Sequence, residues 1–215
     1  MNCSDWLTNL GVVTTYFDPE ADVEAGTDGC CFGQLAFHQS CLEEPDRPTG
    51  LVHEGWYSAF LPVIPDIEEI VTPLLAQSPT RIIICGHSLG GALATACLGW
   101  MVRHYRLAAP ECKHKVLQVT VGQPRFGCSG FNEWLREATL EMQRCGRFKV
   151  ARLVRSLDLV PAVPPKFLGF RHAHRKILLT RGGQLLIKPD NDVVNHAELE
   201  HNPDAHHSSE LATDH

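Results

Sequence analysis

The stretch Gly86-His87-Ser88-Leu89-Gly90-Gly91 decides the fold, because it lies between the aliphatic run Ile82-Ile83-Ile84-Cys85 and a segment rich in small residues. The aliphatic run predicts a buried strand, and the small residues after it predict a helix that approaches a sheet closely. A Gly-x-Ser-x-Gly pattern between a strand and a helix is typical of a nucleophile elbow. Such a sharp turn needs residues without bulk two positions before and two positions after the serine. Gly86 and Gly90 meet that requirement.

The predicted elbow supplies an attacking group and a stabilising group together. Its strained backbone would lift Ser88 Oγ clear of the sheet as a nucleophile. The N–H of Leu89 would lie at the N-terminus of the next helix, where it can donate to the oxyanion of a tetrahedral intermediate. Gly86, His87 and Gly90 complete the elbow.

Strand and helix patterns alternate along the chain, which predicts an α/β fold with a mostly parallel sheet and helices on both faces. Apolar residues at helical spacing over 55–75 predict a helix that Pro62 and Pro65 kink early. The other predicted elements are an edge strand at 12–16, strands at 116–121 and 150–155, helices at 91–105 and 129–142, and a terminal strand pair at 175–180 and 184–187. A polar, histidine-rich tail follows from about residue 189.

Length and charge restrict the class of protein. A chain of 215 residues with 44% hydrophobic residues is sufficient for a single domain over 1–215. The net charge of −6 argues against nucleic acid or an anionic membrane as an electrostatic partner. No uninterrupted apolar run is long enough for a transmembrane segment, and residues 1–5 lack the features of a signal peptide, so we expect a cytoplasmic location by default.

The nine cysteines leave the redox compartment open. We expect Cys85 and Cys97 to be small buried hydrophobic residues. A disulfide among Cys30, Cys31 and Cys41 would require an oxidising environment. No Cys-x-x-Cys pair is present, which argues against a zinc site or a thioredoxin-like motif.

A nucleophilic serine needs an acid and a histidine, which follow it in that order in hydrolases built on an elbow. Asp158 fits the acid, because it follows the predicted strand at 150–155 and precedes Leu159-Val160-Pro161, whose proline interrupts regular structure. An aspartate at a strand end is also a common turn residue. Its position and order favour the catalytic role.

Seven histidines follow Asp158, so the sequence leaves the base open. His172 and His174 precede a strand, where structural roles are expected, and His215 is the last residue. We favour His207, with His206, His201 and His196 as alternatives in the polar tail. A metal site formed by His201, Asp204, His206 and His207 is a rival interpretation, but no further ligand set is apparent.

Several separated segments resemble the lipase class 3 family, the fungal-type triacylglycerol lipases and their plant and algal relatives. They follow the order of the family's own motifs and cover roughly the first four-fifths of the chain. The matching segments are Asp5-Trp6-Leu7-Thr8-Asn9-Leu10, Val52-His53-Glu54-Gly55-Trp56, Gly86 to Leu93, Gly122-Gln123-Pro124-Arg125-Phe126-Gly127 and Asp158-Leu159-Val160-Pro161.

The resemblance implies an α/β-hydrolase fold and hydrolysis of lipid carboxylic esters at a lipid–water interface, without a metal or organic cofactor. Ser88 would be acylated, and Asp158 would orient the histidine. The segment with Asp5, Trp6, Leu7 and Leu10 resembles part of the family's movable lid. His53 and His87 correspond to family histidines outside the triad, which we expect to pack and form hydrogen bonds near the site. His172 likewise matches a family histidine that is not the base.

The family also has a strand ending in Arg-Gly-Thr or Arg-Gly-Ser directly before the lid-like segment, and its Thr or Ser supplies a second oxyanion donor. Because this chain begins at Met1 close to that point, we expect a truncated N-terminus that lacks N-terminal strands, or a replacement of the donor by Asn2, Cys3 or Ser4. Three functions stay open at this level. They are a serine esterase, a catalytically impaired lipase-like binding or signalling protein or gene fragment, and another acyl transfer at the same serine.

Overall fold

The computed structural model describes residues 14–17, 50–77 and 79–188 of the chain. Within these residues the strands, numbered in chain order, are β1 (Thr14–Tyr16), β2 (Leu51–His53), β3 (Arg81–His87), β4 (Lys115–Val121), β5 (Gly127–Cys128), β6 (Phe148–Arg155), β7 (Phe170–Arg171), β8 (Lys176–Leu179) and β9 (Leu185–Lys188). The larger sheet has the order β3-β4-β6-β8-β9. Its first four strands are parallel and β9 returns antiparallel to β8, so the predicted mostly parallel sheet is confirmed.

Four α-helices lie in the described residues: α1 (Glu54–Phe60), α2 (Ile64–Gln77), α3 (Leu89–His104) and α4 (Ser129–Arg144). The predicted helix at 55–75 is divided into α1 and α2 by a short 3-10 helix, Leu61–Val63, which contains Pro62. The missing N–H of Pro62 accounts for this interruption. α3 is buried along most of its length, as its apolar composition predicts, and it packs against β3 and β4.

A smaller antiparallel sheet, with the order β1-β2-β5-β7, lies beside the larger one. It brings Phe17, which directly follows β1, into the core, where its ring centroid lies 5.0 Å from Phe131 and 5.1 Å from Tyr57. The sequence analysis predicted only the edge strand at 12–16, and residues 14–16 form β1 at an edge of this sheet. The remaining strands have two or three residues each, too few for an alternating pattern to be recognised.

Among the described residues, helices cover one face of the larger sheet but not the other. Ile84 and Gln118 face α3, and Gln118 Nε2 donates a hydrogen bond to the Ala94 carbonyl at 3.3 Å. α4 contacts both α3 and β6, so it lies on the same side. The alternate residues Ile83 and Ile187, on the other face, are 60% and 75% exposed. The helices expected on that second face are not among the described elements.

Cys85 lies on this exposed face of β3, so the expectation that it is buried is wrong. The error has a geometric cause: side chains alternate between faces, and Cys85 points away from α3. Cys97 in α3 is partly buried, and burial raises the pKa of its thiol to about 12.

The other predicted elements agree with the structure to within a few residues. The strands at 116–121 and 150–155 correspond to β4 and β6, and the helices at 91–105 and 129–142 correspond to α3 and α4. The terminal pair forms the β8–β9 hairpin. The lid-like segment, Cys30, Cys31, Cys41 and the tail after residue 188 lie outside the described residues. None of the helices in the described ranges is long and apolar enough to cross a bilayer.

Candidate active site

Ser88 joins the end of β3 to the start of α3 with a backbone conformation of φ 54° and ψ −125°. A positive φ is unfavourable for a residue with a Cβ atom, so this serine is held under strain. Its N–H donates to the Val121 carbonyl at 2.9 Å, and its carbonyl accepts from the Gly91 N–H at 2.9 Å. The geometry is that of the predicted elbow, and it leaves Leu89 as the first residue of α3.

The glycines around Ser88 do not share the same steric role. A Cβ atom on Gly86 would lie 2.0 Å from the carbonyl oxygen of Gly90, so no larger residue fits at position 86. A Cβ atom on Gly90 would meet no atom of the described residues within 4 Å, whereas one on Gly91 would lie 2.9 Å from Cβ of Gln123. The contacts of the described residues therefore do not require a residue without bulk at position 90. Gly86 and Gly91 are the glycines that close packing requires.

Parallel pairing brings the candidate nucleophile and acid to the same edge of the larger sheet. His87 is in register with Val121, and Val121 with Leu153, so β3, β4 and β6 end side by side. Ser88 follows β3, Gly122 follows β4 and Asp158 lies in the loop after β6. The carboxyl edge of a parallel sheet is the usual place for a site built from such loops.

Asp158 is partly buried and held by its own loop. Its N–H donates to the Arg155 carbonyl at 3.1 Å, and its Oδ1 accepts from the Val160 N–H at 3.0 Å. The other oxygen faces Gly122: a Cβ atom on that residue would lie 2.9 Å from Oδ2 of Asp158 and 3.9 Å from Nε2 of His87. Gly122 has φ +59°, so both its conformation and the adjacent carboxylate require glycine.

Two buried side chains anchor the loop that carries Asp158. The Arg125 guanidinium donates to the carbonyls of Ala162 and Pro164, the latter at 2.7 Å. The Arg125 backbone N–H also donates to the Val163 carbonyl at 2.8 Å. His172 Nε2 lies 3.0 Å from the Pro161 carbonyl. The segment 122–127, which resembles a family motif, therefore helps to hold the loop that carries Asp158 in place.

A buried polar network ties α3 to the end of β4. Gln123 Nε2 donates to Thr95 Oγ1 at 2.8 Å, and Thr120 Oγ1 donates to Gln123 Oε1 at 2.7 Å. Gln118 Nε2 also donates to Thr95 Oγ1, at 3.3 Å. These bonds fix the helix that begins after Ser88 relative to the strand that precedes Gly122.

The histidines with expected structural roles lie in different environments. His53 is fully buried and stacks on Trp56 with ring centroids 4.0 Å apart, but neither of its ring nitrogens has a hydrogen-bond partner among the described residues. His174 is partly buried, beside Phe148. Burial lowers the pKa of both histidines to about 4, and the positive charges of Arg152 and Arg136 add to the effect at His174.

His87 differs from the expectation, because it is exposed and not packed. It lines a cavity of about 570 Å³ at the carboxyl edge of the sheet, together with Val121, Arg155, Ser156, Leu157, Asp158 and Arg181. Sequence analysis did not identify Arg155, Arg181 or Gly122 as site residues. The register of β4, β6 and β8 brings Gly122 and Arg181 to the same edge as Asp158, whereas Arg155 is only three residues before it in the chain.

The other predicted site residues lie outside the described part of the chain. They are His207, its alternatives His206, His201 and His196, and the lid-like residues Asp5, Trp6, Leu7 and Leu10. Over residues 14–17, 50–77 and 79–188, no group of three or more His, Cys, Asp or Glu side chains is placed to hold a metal ion.

Parts of this chain are similar in sequence to known proteins. The Rhizopus niveus lipase is 36% identical over 123 residues, which cover 56% of this chain and 28% of that relative. Phospholipase A1-Igamma2, chloroplastic, from Arabidopsis thaliana is 35% identical over 109 residues, covering 49% of this chain and 19% of the relative. This chain thus corresponds to less than a third of the length of either protein.

Structural similarity covers more of this chain than the sequence matches do. The solved structure of lipase II from Rhizopus niveus aligns with a TM-score of 0.51 and 27% identity, over 68% of this chain and 55% of that one. This likeness confirms the α/β-hydrolase fold class. The family model for Lipase (class 3) matches residues 2–168, a range that includes both the elbow and the acid loop. The chain belongs to the class 3 lipase family.

Proposed function

We propose that this protein is a serine hydrolase that cleaves carboxylic esters of lipids through an acyl-enzyme on Ser88. The observation that carries the proposal is the strained backbone of Ser88, with φ 54°, between β3 and α3. Strain of this kind persists only where the surrounding structure imposes it, and such residues concentrate at functional sites. Membership of the class 3 lipase family supports the same reaction.

In the proposed first half-reaction, Ser88 Oγ attacks the ester carbonyl carbon while a histidine accepts the serine proton. The Leu89 N–H donates to the resulting oxyanion. Collapse of the tetrahedral intermediate breaks the bond to the alcohol, which leaves with the proton from the histidine. Water then attacks the acyl-enzyme with the same histidine as base, and this releases the carboxylic acid and restores Ser88.

Asp158 is the proposed acid that orients the histidine and stabilises its protonated form. Its support is its position at the same sheet edge as Ser88 and the two hydrogen bonds that fix its loop. We propose His207 as the base, with His206 and His201 as alternatives, because the base must come from the chain after Asp158 in this family order.

The proposed substrates are lipid esters at a lipid–water interface, and the lid-like residues Asp5, Trp6, Leu7 and Leu10 would cover the site. The names of the relatives include both a lipase and a phospholipase A1. The proposal therefore does not specify the head group of the lipid substrate. The proposed chemistry needs no cofactor or metal.

The test is hydrolysis of p-nitrophenyl esters with short and long acyl chains by the purified protein, compared with Ser88→Ala. Ser58→Ala is a matched control, because Ser58 is an exposed serine in α1. We expect Ser88→Ala to lose about a thousandfold or more of the activity and Ser58→Ala to keep it. Equal rates for the wild-type protein and Ser88→Ala would overturn the proposal.

A further inference from the structure

The short segment 121–123, at the end of β4, contacts the elbow at two points. The Val121 carbonyl accepts a hydrogen bond from the Ser88 N–H at 2.9 Å. Gln123 lies against the first turn of α3, because a Cβ atom on Gly91 would be 2.9 Å from Cβ of Gln123 and 3.2 Å from its Cα. Leu89, whose N–H is the proposed oxyanion donor, lies between these two anchored residues of the elbow.

The first turn of α3 depends on such anchors. The first N–H groups of a helix have no partner within it, and the consecutive residues Gly90 and Gly91 give this turn more backbone freedom than other residues would. The turn is closed by the Gly91 N–H, which donates to the Ser88 carbonyl at 2.9 Å. An oxyanion donor is most effective when its direction is fixed before the reaction. A turn that contains two glycines therefore has to be held from outside to fulfil this role.

The Gln123 side chain provides this hold through a chain of hydrogen bonds. Thr120 Oγ1, in β4, donates to Gln123 Oε1 at 2.7 Å, and Gln123 Nε2 donates to Thr95 Oγ1 at 2.8 Å. Thr95 Oγ1 in turn donates to the Gly91 carbonyl at 3.1 Å. Each hydroxyl proton has a defined acceptor, so the direction of the whole chain is fixed. It connects β4 to the residue that closes the first turn of α3.

Burial makes this chain of hydrogen bonds specific. Thr95, Thr120 and Gln123 are only 3%, 1% and 6% exposed. A buried polar network in which every member is bonded favours a single arrangement. The apolar contacts of buried Ala92 and Ala96, in the same part of α3, are not directional. The network therefore supplies the orientation that apolar packing alone does not.

We propose that Gln123 is a positioning residue for the reaction at Ser88. Through Thr95 and Gly91 it fixes the direction of the Leu89 N–H relative to Ser88 Oγ. The inference rests on the proposed function and adds to its machinery a residue that touches no reacting atom. Loss of this chain weakens stabilisation of the tetrahedral intermediate more than binding of the ester, because the oxyanion forms only after the attack.

The first test removes one hydroxyl with little change of shape. Thr95→Val should lower kcat for p-nitrophenyl butyrate by about tenfold or more and change KM by less than about twofold. Thr95→Ser keeps the hydroxyl and should recover most of kcat. Gln123→Met should resemble Thr95→Val, and the double variant should lose no more than either single variant, because the chain acts as a unit.

Thr139→Val separates positioning from stability. Thr139 is fully buried in α4, where its Oγ1 donates to the Leu135 carbonyl at 2.8 Å and accepts from Gln143 Nε2 at 3.5 Å. It thus has the same kinds of partner as Thr95, in a helix that carries no residue of the proposed mechanism. Thr139→Val should lower the urea midpoint about as much as Thr95→Val and leave kcat unchanged. Equal falls in kcat in the two variants overturn the positioning role.

A tetrahedral inhibitor reports on the oxyanion donor itself. Butylboronic acid adds to a serine hydroxyl and forms a tetrahedral adduct that resembles the intermediate. Its inhibition constant in Thr95→Val should therefore rise by about the same factor as kcat/KM falls. An unchanged inhibition constant beside a lower kcat/KM overturns the assignment to the Leu89 N–H.

Comparison of the wild-type protein with Ser88→Ala distinguishes this inference from the proposed function. Equal rates of p-nitrophenyl butyrate hydrolysis in these two proteins reject the esterase, and the positioning role with it. Hydrolysis that depends on Ser88, with kcat unchanged in both Thr95→Val and Gln123→Met, keeps the esterase and rejects only the role of Gln123.

Discussion

The backbone of Gly122 lies against the carboxylate of Asp158, because a Cβ atom on Gly122 would be 2.9 Å from Oδ2 of Asp158. The glycine follows β4 and the aspartate follows β6, so the parallel pairing of these strands creates the contact. The position of the proposed acid is thus set partly by a residue that has no side chain.

We predict that Gly122→Ala displaces the Asp158 carboxylate and lowers kcat for ester hydrolysis by about tenfold or more, since small errors in position are costly in catalysis. Gly146→Ala is the matched control: Gly146 also has a positive φ, +71°, but in the described part of the chain a Cβ atom there would meet nothing within 4 Å. Both variants should lose about 1 kcal/mol of stability from backbone strain. Steady-state kinetics and urea unfolding measure the two effects, and a control that loses as much activity as Gly122→Ala would contradict the prediction.

Gly86 and Gly90 should respond differently to the same substitution. Gly86→Ala places Cβ 2.0 Å from the Gly90 carbonyl oxygen, so it should disrupt the elbow and abolish activity. Gly90→Ala places its Cβ more than 4 Å from every other atom of residues 14–17, 50–77 and 79–188 outside its own helix turn and neighbours, and it lies in the first turn of α3, where alanine favours the helix by up to about 1 kcal/mol. Thermal unfolding and p-nitrophenyl ester hydrolysis of the two variants test this contrast. A loss of activity in Gly90→Ala as large as that in Gly86→Ala would disprove it.

Arg125 should affect both stability and catalysis, because its guanidinium binds the carbonyls of Ala162 and Pro164 in the acid loop. Arg125→Met leaves the buried Pro164 carbonyl without this donor, at a cost of about 1–3 kcal/mol, and should lower kcat more than it changes KM. Arg147→Met is the control: Arg147 also donates to loop carbonyls, those of Leu107 and Ala109, but it precedes β6 at the opposite edge of the sheet. It should reduce stability and leave kcat unchanged. An equal fall in kcat in both variants would show that the acid loop does not depend on Arg125.

The lowered pKa values of His53 and His174 predict a loss of stability in mild acid. The pKa values of His53 and His174 are lowered from 6.5 to about 4 in the folded protein, so between these values the unfolded chain binds protons that the folded chain does not. The free energy of unfolding should therefore be highest above pH 6.5 and fall as the pH approaches 4, by about 3 kcal/mol for each histidine.

Urea unfolding at pH 7.0 and 5.0 measures this dependence. His53→Phe keeps a ring to stack on Trp56 but cannot titrate, so its stability should change less between the two pH values than that of the wild-type protein. A His53→Phe variant with the full wild-type pH dependence would exclude His53 as a source.

The elbow and the candidate acid could be predicted from sequence because each depends on local order. Ser88 lies in a contiguous motif, and Asp158 follows a recognisable strand and precedes Pro161. Gly122 and Arg181 could not be predicted in the same way. Their position at the same sheet edge as Asp158 depends on the register of strands that are distant in sequence.

At two positions, a sequence pattern did not predict the contacts of the individual residue. Cys85 belongs to an aliphatic run that suggests burial on both sides, but in the described structure its face of β3 is exposed. Gly90 belongs to a glycine pattern, but the close contact is made by its carbonyl with Gly86 and not by its own Cβ position. In both cases, side-chain direction decides the outcome.

The most direct test of the central claim is covalent labelling of the purified protein with a fluorophosphonate, followed by peptide mass spectrometry. We predict one equivalent of label on Ser88, no labelling of Ser88→Ala, and labelling of Asp158→Asn that is slower by several orders of magnitude, since the acid orients the base. Label on a different residue, or equal labelling rates for the wild-type protein and Asp158→Asn, would contradict a nucleophile at Ser88 that acts with Asp158.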